Sequence, residues 1–280
     1  MVPELRTSCL TLLALVCVLK SALGFLIPVH VAQTPTSRVA PGIRRCPVHN
    51  AGNFHRTSRC AGIIMGVETN ELRLRAAQLG SRLKGTNLYF VGMMGTGKST
   101  IARTLSSVMG RYKFMDTDAV IEEVFNAPVQ EIFSTEGEEA FRSVESLVLD
   151  KMHSYAKKCI ATGGGIVTVP QNWGKLQTGI VVWLDMEPKD IFERLTKDPD
   201  QVQKRPLLAG DDPLAKLEAL MADRRSQYKQ ADVRVALEPQ QDVEDAILAV
   251  IDSVVDFIES NPPKWQEWKE RAQEKGVDWA

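Results

Sequence analysis

The chain has 280 residues and a mass of 31.1 kDa, enough for one large domain or two average ones. Apolar residues make up 44% and charged residues 25%, values that exclude a disordered, a collagen-like or a disulfide-scaffold protein. The net charge of -1 hides a division: residues 1–67 carry seven bases against Glu4 alone, a balance of +6, which leaves -7 for residues 68–280.

The basic segment reads as an address. Arg6 precedes a largely apolar run of eleven residues, Cys9 to Leu19, and then Lys20-Ser21-Ala22-Leu23-Gly24. Eleven residues of helix rise about 16 Å, roughly half of a ~30 Å hydrocarbon core, so the run is too short to anchor the chain. Residues 1–24 have the form of a secretory signal peptide, with small residues Ala22 and Gly24 placed for cleavage before Phe25. Residues 25–66 are rich in Ser, Thr, Pro and Arg and contain no acid, the composition of a transit peptide. Together they resemble the bipartite plastid leader of algae with complex secondary plastids; the competing reading is a secreted protein with a basic arm. The expected destination is the chloroplast stroma, with no stable membrane insertion after leader removal. Four of the five cysteines fall in the leader. Cys159 alone remains in the body, which excludes an internal disulfide there and suits a reducing compartment.

The body opens with a lead-in helix expected over Glu71 to Leu83, with Leu72, Leu74, Leu79 and Leu83 roughly on one side. Leu88-Tyr89-Phe90-Val91 is a short apolar strand, followed by Gly92-Met93-Met94-Gly95-Thr96-Gly97-Lys98-Ser99-Thr100 and a helix carrying Ile101, Leu105 and Met109. Strand, GxxxxGK[ST] and helix form a phosphate-binding loop in its required context. Glycines Gly92, Gly95 and Gly97 let backbone N–H groups face phosphate oxygens. Thr96 and Thr100 lie within the same loop. Lys98 bridges the terminal phosphates of a nucleoside triphosphate, and Ser99 offers a hydroxyl to Mg²⁺.

A second strand leads from Arg111 to Met115 and ends in Asp116-Thr117-Asp118. Residues i and i+2 of an extended segment share a face, so both acids are expected at the crevice beside the loop. One would hold Mg²⁺ through water and the other would deprotonate an attacking hydroxyl; alternatively the pair caps the next helix, Ala119 to Asn126. Gly137 to Glu145 opens a long helix with Arg142 and Glu145 three apart. That spacing fits a substrate-carboxylate clamp, although a solvent-facing ion pair is the usual explanation for it. A third strand from Cys159 runs into Gly163-Gly164-Gly165, where backbone approaches a ligand closely. Ile180 to Leu184 is a fourth strand. Lys197 to Asp212 is a polar lid with Lys204-Arg205-Pro206-Leu207-Leu208. Arg224 to Tyr228 ends a helix before a fifth strand, Val233 to Leu237. A closing helix carries Val243, Ile247, Val250, Val254 and Ile258 as one stripe.

The order and spacing of Gly92 to Ser99, Asp116-Thr117-Asp118, Gly137-Glu138-Glu139 with Phe141-Arg142 and Glu145, Gly163-Gly164-Gly165, Arg205-Pro206-Leu207-Leu208 and Arg224 four before Tyr228 resemble the shikimate kinases. Met93-Met94 and Asn172-Trp173 are similar to the plastid form. The resemblance spans about residues 85–260. It implies an α/β P-loop kinase of nucleoside monophosphate kinase type over residues 67–260: a five-stranded parallel sheet with helices on both faces, a lid at about 197–212 and a substrate-binding subdomain. It also implies transfer of the ATP γ-phosphoryl group to the 3-hydroxyl of shikimate. By that analogy Asp118 is the base, and Arg142 and Arg224 hold the shikimate carboxylate. Glu145 belongs to the same acceptor site, and Gly163, Gly164 and Gly165 give it backbone contacts. Ser99 and Asp116 serve Mg²⁺, and Lys98 and Arg205 neutralise the phosphoryl group. Shikimate and ATP are the expected partners, and nucleic acid is not. Two rival readings are a catalytically silent regulatory relative and a kinase for another small alcohol such as gluconate. An adenine-stacking arginine has no match in the lid, where Lys197 is the nearest cation. Residues 261–280, with Trp265, Trp268 and Trp279, lie outside the resemblance and read as a charged tail.

Overall fold

The computed structural model describes residues 58–197 and 212–262. The leader before residue 58, Arg205 with most of the expected lid, and the tail after Pro262 lie outside the described residues. The chain divides into two units, Met1–Thr69 and Asn70–Ala280, and everything that follows concerns the second apart from the start of the first helix.

That helix, α1 (Ser58–Arg82), begins earlier than its apolar pattern indicates. Its buried stripe is Leu72, Ala76 and Leu79, continued by Leu83 just past the end; Leu74 is 61% exposed. Two residues from Leu72 is about 200° of rotation, so Leu74 points away and Ala76 takes the core position expected of it. Arg75 pairs with Asp252 at 3.1 Å, and Arg82 pairs with Glu259.

Five strands follow: β1 (Leu88–Val91), β2 (Lys113–Asp116), β3 (Lys158–Ala161), β4 (Ile180–Asp185) and β5 (Val233–Ala236). They form one sheet in the order β2-β3-β1-β4-β5, with every adjacent pair parallel. Central strands β1 and β4 are buried at every position, as continuous apolar runs require when both faces are covered. Each buried Val or Leu there contributes about 1.5–3 kcal/mol. Edge strand β5 alternates buried and exposed residues instead. Helix α2 (Lys98–Met109) packs across β1, β2 and β3.

Between β2 and β3 the chain inserts α3 (Thr117–Phe125), α4 (Val129–Glu136) and α5 (Glu138–Met152), which pack on one another. The pattern gave no sign of α4, an eight-residue helix with Ile132 as its only buried side chain. After β3 a single 3₁₀ turn, Ile166–Thr168, leads into α6 (Pro170–Leu176). Buried Asn172 and Trp173 tie that turn down, donating to Ile166 O at 3.0 Å and Val167 O at 3.1 Å.

Among the described residues the remaining helices are α7 (Pro188–Thr196), α8 (Pro213–Tyr228) and α9 (Val243–Ser260). On α9 the expected stripe holds at Ile247, Val250 and Val254, joined by Ala246 and Ile251. Val243 is exposed, where it lines the large cleft, and Ile258 is half-buried. Among the described residues no helix is long and apolar enough to cross a membrane.

Candidate active site

β1 delivers the phosphate loop from the middle of the sheet. Gly92 has φ +142°, and a Cβ there would stand 2.5 Å from the Leu184 carbonyl oxygen of β4, so no other residue fits. Thr96 Oγ1 donates to Met93 O at 2.9 Å and closes the turn. Gly97 precedes α2 at φ +89° without a side-chain cap, which leaves the first N–H groups of the helix as donors for an anion. Lys98 Nζ donates to Gly92 O at 2.9 Å and Met93 O at 2.7 Å, holding its ammonium inside the curve of the loop.

Asp116 joins this loop to the acceptor side. Its Oδ2 accepts from Ser99 Oγ at 2.6 Å, and its Oδ1 accepts from the backbone N–H groups of Asp118 and Ala119 at 3.0 and 3.4 Å. The cap of α3 is therefore Asp116. Asp118 belongs to the first helical turn, not to an extended face shared with Asp116. Helical geometry brings it to the cleft all the same. Burial pushes the Asp118 carboxyl up to about 7, helped by the negative charges of Glu145 and Asp116 and opposed by Lys98.

Arg142 and Glu145 form an ion pair, and Arg142 also bonds Glu138 at 3.1 Å. The pair is no solvent-facing one: the side chains are 13% and 1% exposed. The guanidinium lies 5.6 Å from the ring centre of Phe141 and 6.0 Å from that of Phe133. Burial raises the Glu145 carboxyl, against the pull of Arg142 and Arg224.

The triple glycine has a more specific cause than a passing ligand. A Cβ on Gly163 would collide with Glu145 Oε1 and stand 2.9 Å from Asp118 Oδ1, and one on Gly165 would overlap the Arg142 guanidinium. Gly163 N donates to Thr117 Oγ1 at 2.9 Å, a link between β3 and α3 that sequence reading missed. Arg224, on α8 and 3% exposed, donates through Nη1 to Gly164 O at 3.3 Å.

One cleft of about 660 Å³ contains Lys98, Ser99, Asp118, Arg142, Glu145 and Arg224 along with all three glycines. Asp116 stands beside it through Ser99. Arg194 was also missed. It lines the cleft from α7 and not from the lid, within 3.7 Å of the place a Cβ on Gly97 would occupy. Leu237, Gln241 and Asp242, from the segment between β5 and α9, close that end.

A phosphate loop on the central strand, with an acid, the buried Arg224 and the half-buried Arg142 one glycine loop away, defines a P-loop phosphotransferase for a small anionic acceptor. The family model described as shikimate kinase matches residues 94–256, and the chain belongs to that family. A shikimate kinase from a Synechococcus species is 48% identical over 172 residues, 61% of this chain and 86% of that one. One from Gloeobacter violaceus is 48% identical over 154 residues, 55% and 85% of the two chains. The solved structure of shikimate kinase from Acinetobacter baumannii in complex with shikimate aligns with a TM-score of 0.57 at 33% identity, covering 66% of this chain and 98% of that one.

Proposed function

We propose that this protein transfers the γ-phosphoryl group of ATP to the 3-hydroxyl of shikimate. The observation that carries the reading is the buried Arg142–Glu145 pair facing Arg224 and Asp118 across Gly163-Gly164-Gly165. Two guanidiniums suit a carboxylate, and the acid beside them suits a hydroxyl of the same small molecule.

The loop N–H groups and Lys98 hold the triphosphate, with Arg194 toward the base and Arg205 assigned from the sequence to the transferring phosphoryl. Arg142 and Arg224 bind the shikimate carboxylate and Gly163 to Gly165 supply backbone contacts. The 3-hydroxyl oxygen forms a bond to the γ-phosphorus, the bond from that phosphorus to the β–γ bridging oxygen breaks, and the proton passes to Asp118. A carboxyl poised at about 7 accepts a proton well near neutral pH. Positioning contributes more than proton removal in this chemistry.

The hydroxyl of Ser99 and the carboxylate of Asp116, 2.6 Å apart beside the loop, are the hard oxygen donors that Mg²⁺ takes. When bound, Mg²⁺ screens phosphate charge and orients the leaving group.

Residues 67–280, incubated with ATP, Mg²⁺ and shikimate, should release ADP and form shikimate 3-phosphate, with gluconate giving no turnover. Absence of shikimate-dependent ADP refutes the reading and favours a silent regulatory relative. Residues 1–24 and 25–66 act as signal and transit segments for the plastid stroma, a reading supported by their acid-free composition from residue 5 to 67. A fluorescent fusion of residues 1–66 should reach plastids, and retention in the secretory pathway would overturn that.

A further inference from the structure

Gly164 is the one member of the triple glycine whose carbonyl receives two side chains. Arg224 Nη1 reaches it at 3.3 Å and Tyr228 Oη donates to it at 2.7 Å. A carbonyl oxygen has two lone pairs and accepts both, the shorter bond being the tyrosine's. Arg224 Nε is buried and has no partner among the described residues.

Tyr228 is itself fully buried. Its ring stacks on Trp183, with centroids 5.7 Å apart and planes at 15°. Arg234 also lies 5.3 Å from the Trp183 ring centre and bonds Asp185 at 2.8 and 2.7 Å. The phenol proton has two acceptors in reach, Gly164 O at 2.7 Å and Met93 Sδ at 3.7 Å, and the oxygen is the stronger and nearer. Burial pushes the hydroxyl up to about 12, so it stays a donor throughout the physiological range. A Cβ on Gly164 would stand 3.4 Å from Gly92 O and 3.5 Å from Met94 N, which sets this peptide directly against the phosphate loop.

We infer that Tyr228 is a positioning residue for the acceptor: its hydroxyl fixes the Gly164 carbonyl, which holds Arg224 by Nη1 and so sets that guanidinium where it lines the acceptor cleft. The inference rests on the shikimate kinase reading and adds to it how one carboxylate-binding arginine is aimed. Without the hydroxyl, Gly164 O keeps only the long Arg224 bond. The guanidinium is then free to turn, and acceptor binding suffers while the triphosphate site stays intact.

Tyr228→Phe removes one oxygen. The expected result is a shikimate KM raised about tenfold, the worth of one buried hydrogen bond, with the ATP KM within about twofold of wild type. Arg234→Met is the stability control. It strips buried Asp185 of its partner and lowers Tm without touching the hydroxyl, so its shikimate KM should stay within about twofold. A lower Tm for Tyr228→Phe with no KM split, or the same split in Arg234→Met, overturns the inference. Should Tyr228→Phe fail to fold, 3,5-difluorotyrosine at position 228 keeps the ring and hydroxyl while bringing ionisation into the assay range. Shikimate KM should then rise on the alkaline side where wild type is flat, and a flat profile would refute the role. Wild-type turnover of shikimate is measured first: its absence fails the family activity itself, whereas its presence with an unaltered Tyr228→Phe fails only the positioning role.

Discussion

Glu145 sits one turn beyond Arg142 on α5 and, at 1% exposure, carries the charge that keeps the guanidinium in the acceptor cleft. Oε2 takes the arginine, while Oε1 is buried with no hydrogen-bond partner among the described residues. Burial disfavours such a carboxylate, and it persists because two arginines offset the cost.

Removing either member should therefore have different effects. Arg142→Ala should weaken shikimate by about 2–5 kcal/mol and leave ATP affinity nearly unchanged, as titration of each ligand would report. Glu145→Gln keeps the shape but leaves Arg142 to Glu138 alone, so it should lower Tm and raise the shikimate KM together. An exposed pair would change neither by more than about 1 kcal/mol.

Asp118 provides a pH test whose sign is fixed. Its carboxyl is raised from 3.8 to about 7, so between those values the folded protein holds a proton that the unfolded chain has lost. Stability of the metal-free protein should fall as pH rises across that window. Asp118→Asn should flatten the fall in urea titrations at pH 4 to 8. The same variant should lower kcat far more than it changes ATP affinity, and a near-normal kcat would remove Asp118 from the base role.

Two glycines nine positions apart, Gly165 and Gly174, should respond in opposite ways to alanine. Gly165→Ala places a methyl on the Arg142 guanidinium and should sharply weaken shikimate binding. Gly174, exposed on α6 with nothing within 4 Å of an added Cβ, should gain about 0.5–1 kcal/mol of stability from the same change. Thermal melts and shikimate titrations of both variants check the contrast.

Cys159 is fully buried on β3, and burial pushes its thiol up to about 12. Iodoacetamide at pH 8 should leave it unmodified in the folded protein and label it in denaturant. Rapid native labelling would contradict its role as a small core side chain.

The five strands were legible because parallel strands buried on both faces are continuous apolar runs bounded by glycine and polar residues. The phosphate loop was legible because its glycines are demanded by backbone geometry within nine residues. Helix α4 was not, since Ile132 is too little buried surface to make a period. That Asp116 alone caps α3 was not legible for another reason: sequence offers both acids as caps but does not say where strand becomes helix between them. Arg194 escaped because its importance depends on α7 crossing beside Gly97, a contact between residues far apart in the chain. The glycine run was read as making room for a ligand, and only the folded chain reveals that Glu145 and Arg142 already fill that room.

A competitive compound seated against Gly163 and Gly165 would face a wall the enzyme has little freedom to remodel, because the smallest added side chain strikes Glu145 or Arg142 before it reaches the compound. Substitutions that evade such a compound would have to arise elsewhere around the cleft, so contacts confined to this loop offer a durable target for an inhibitor.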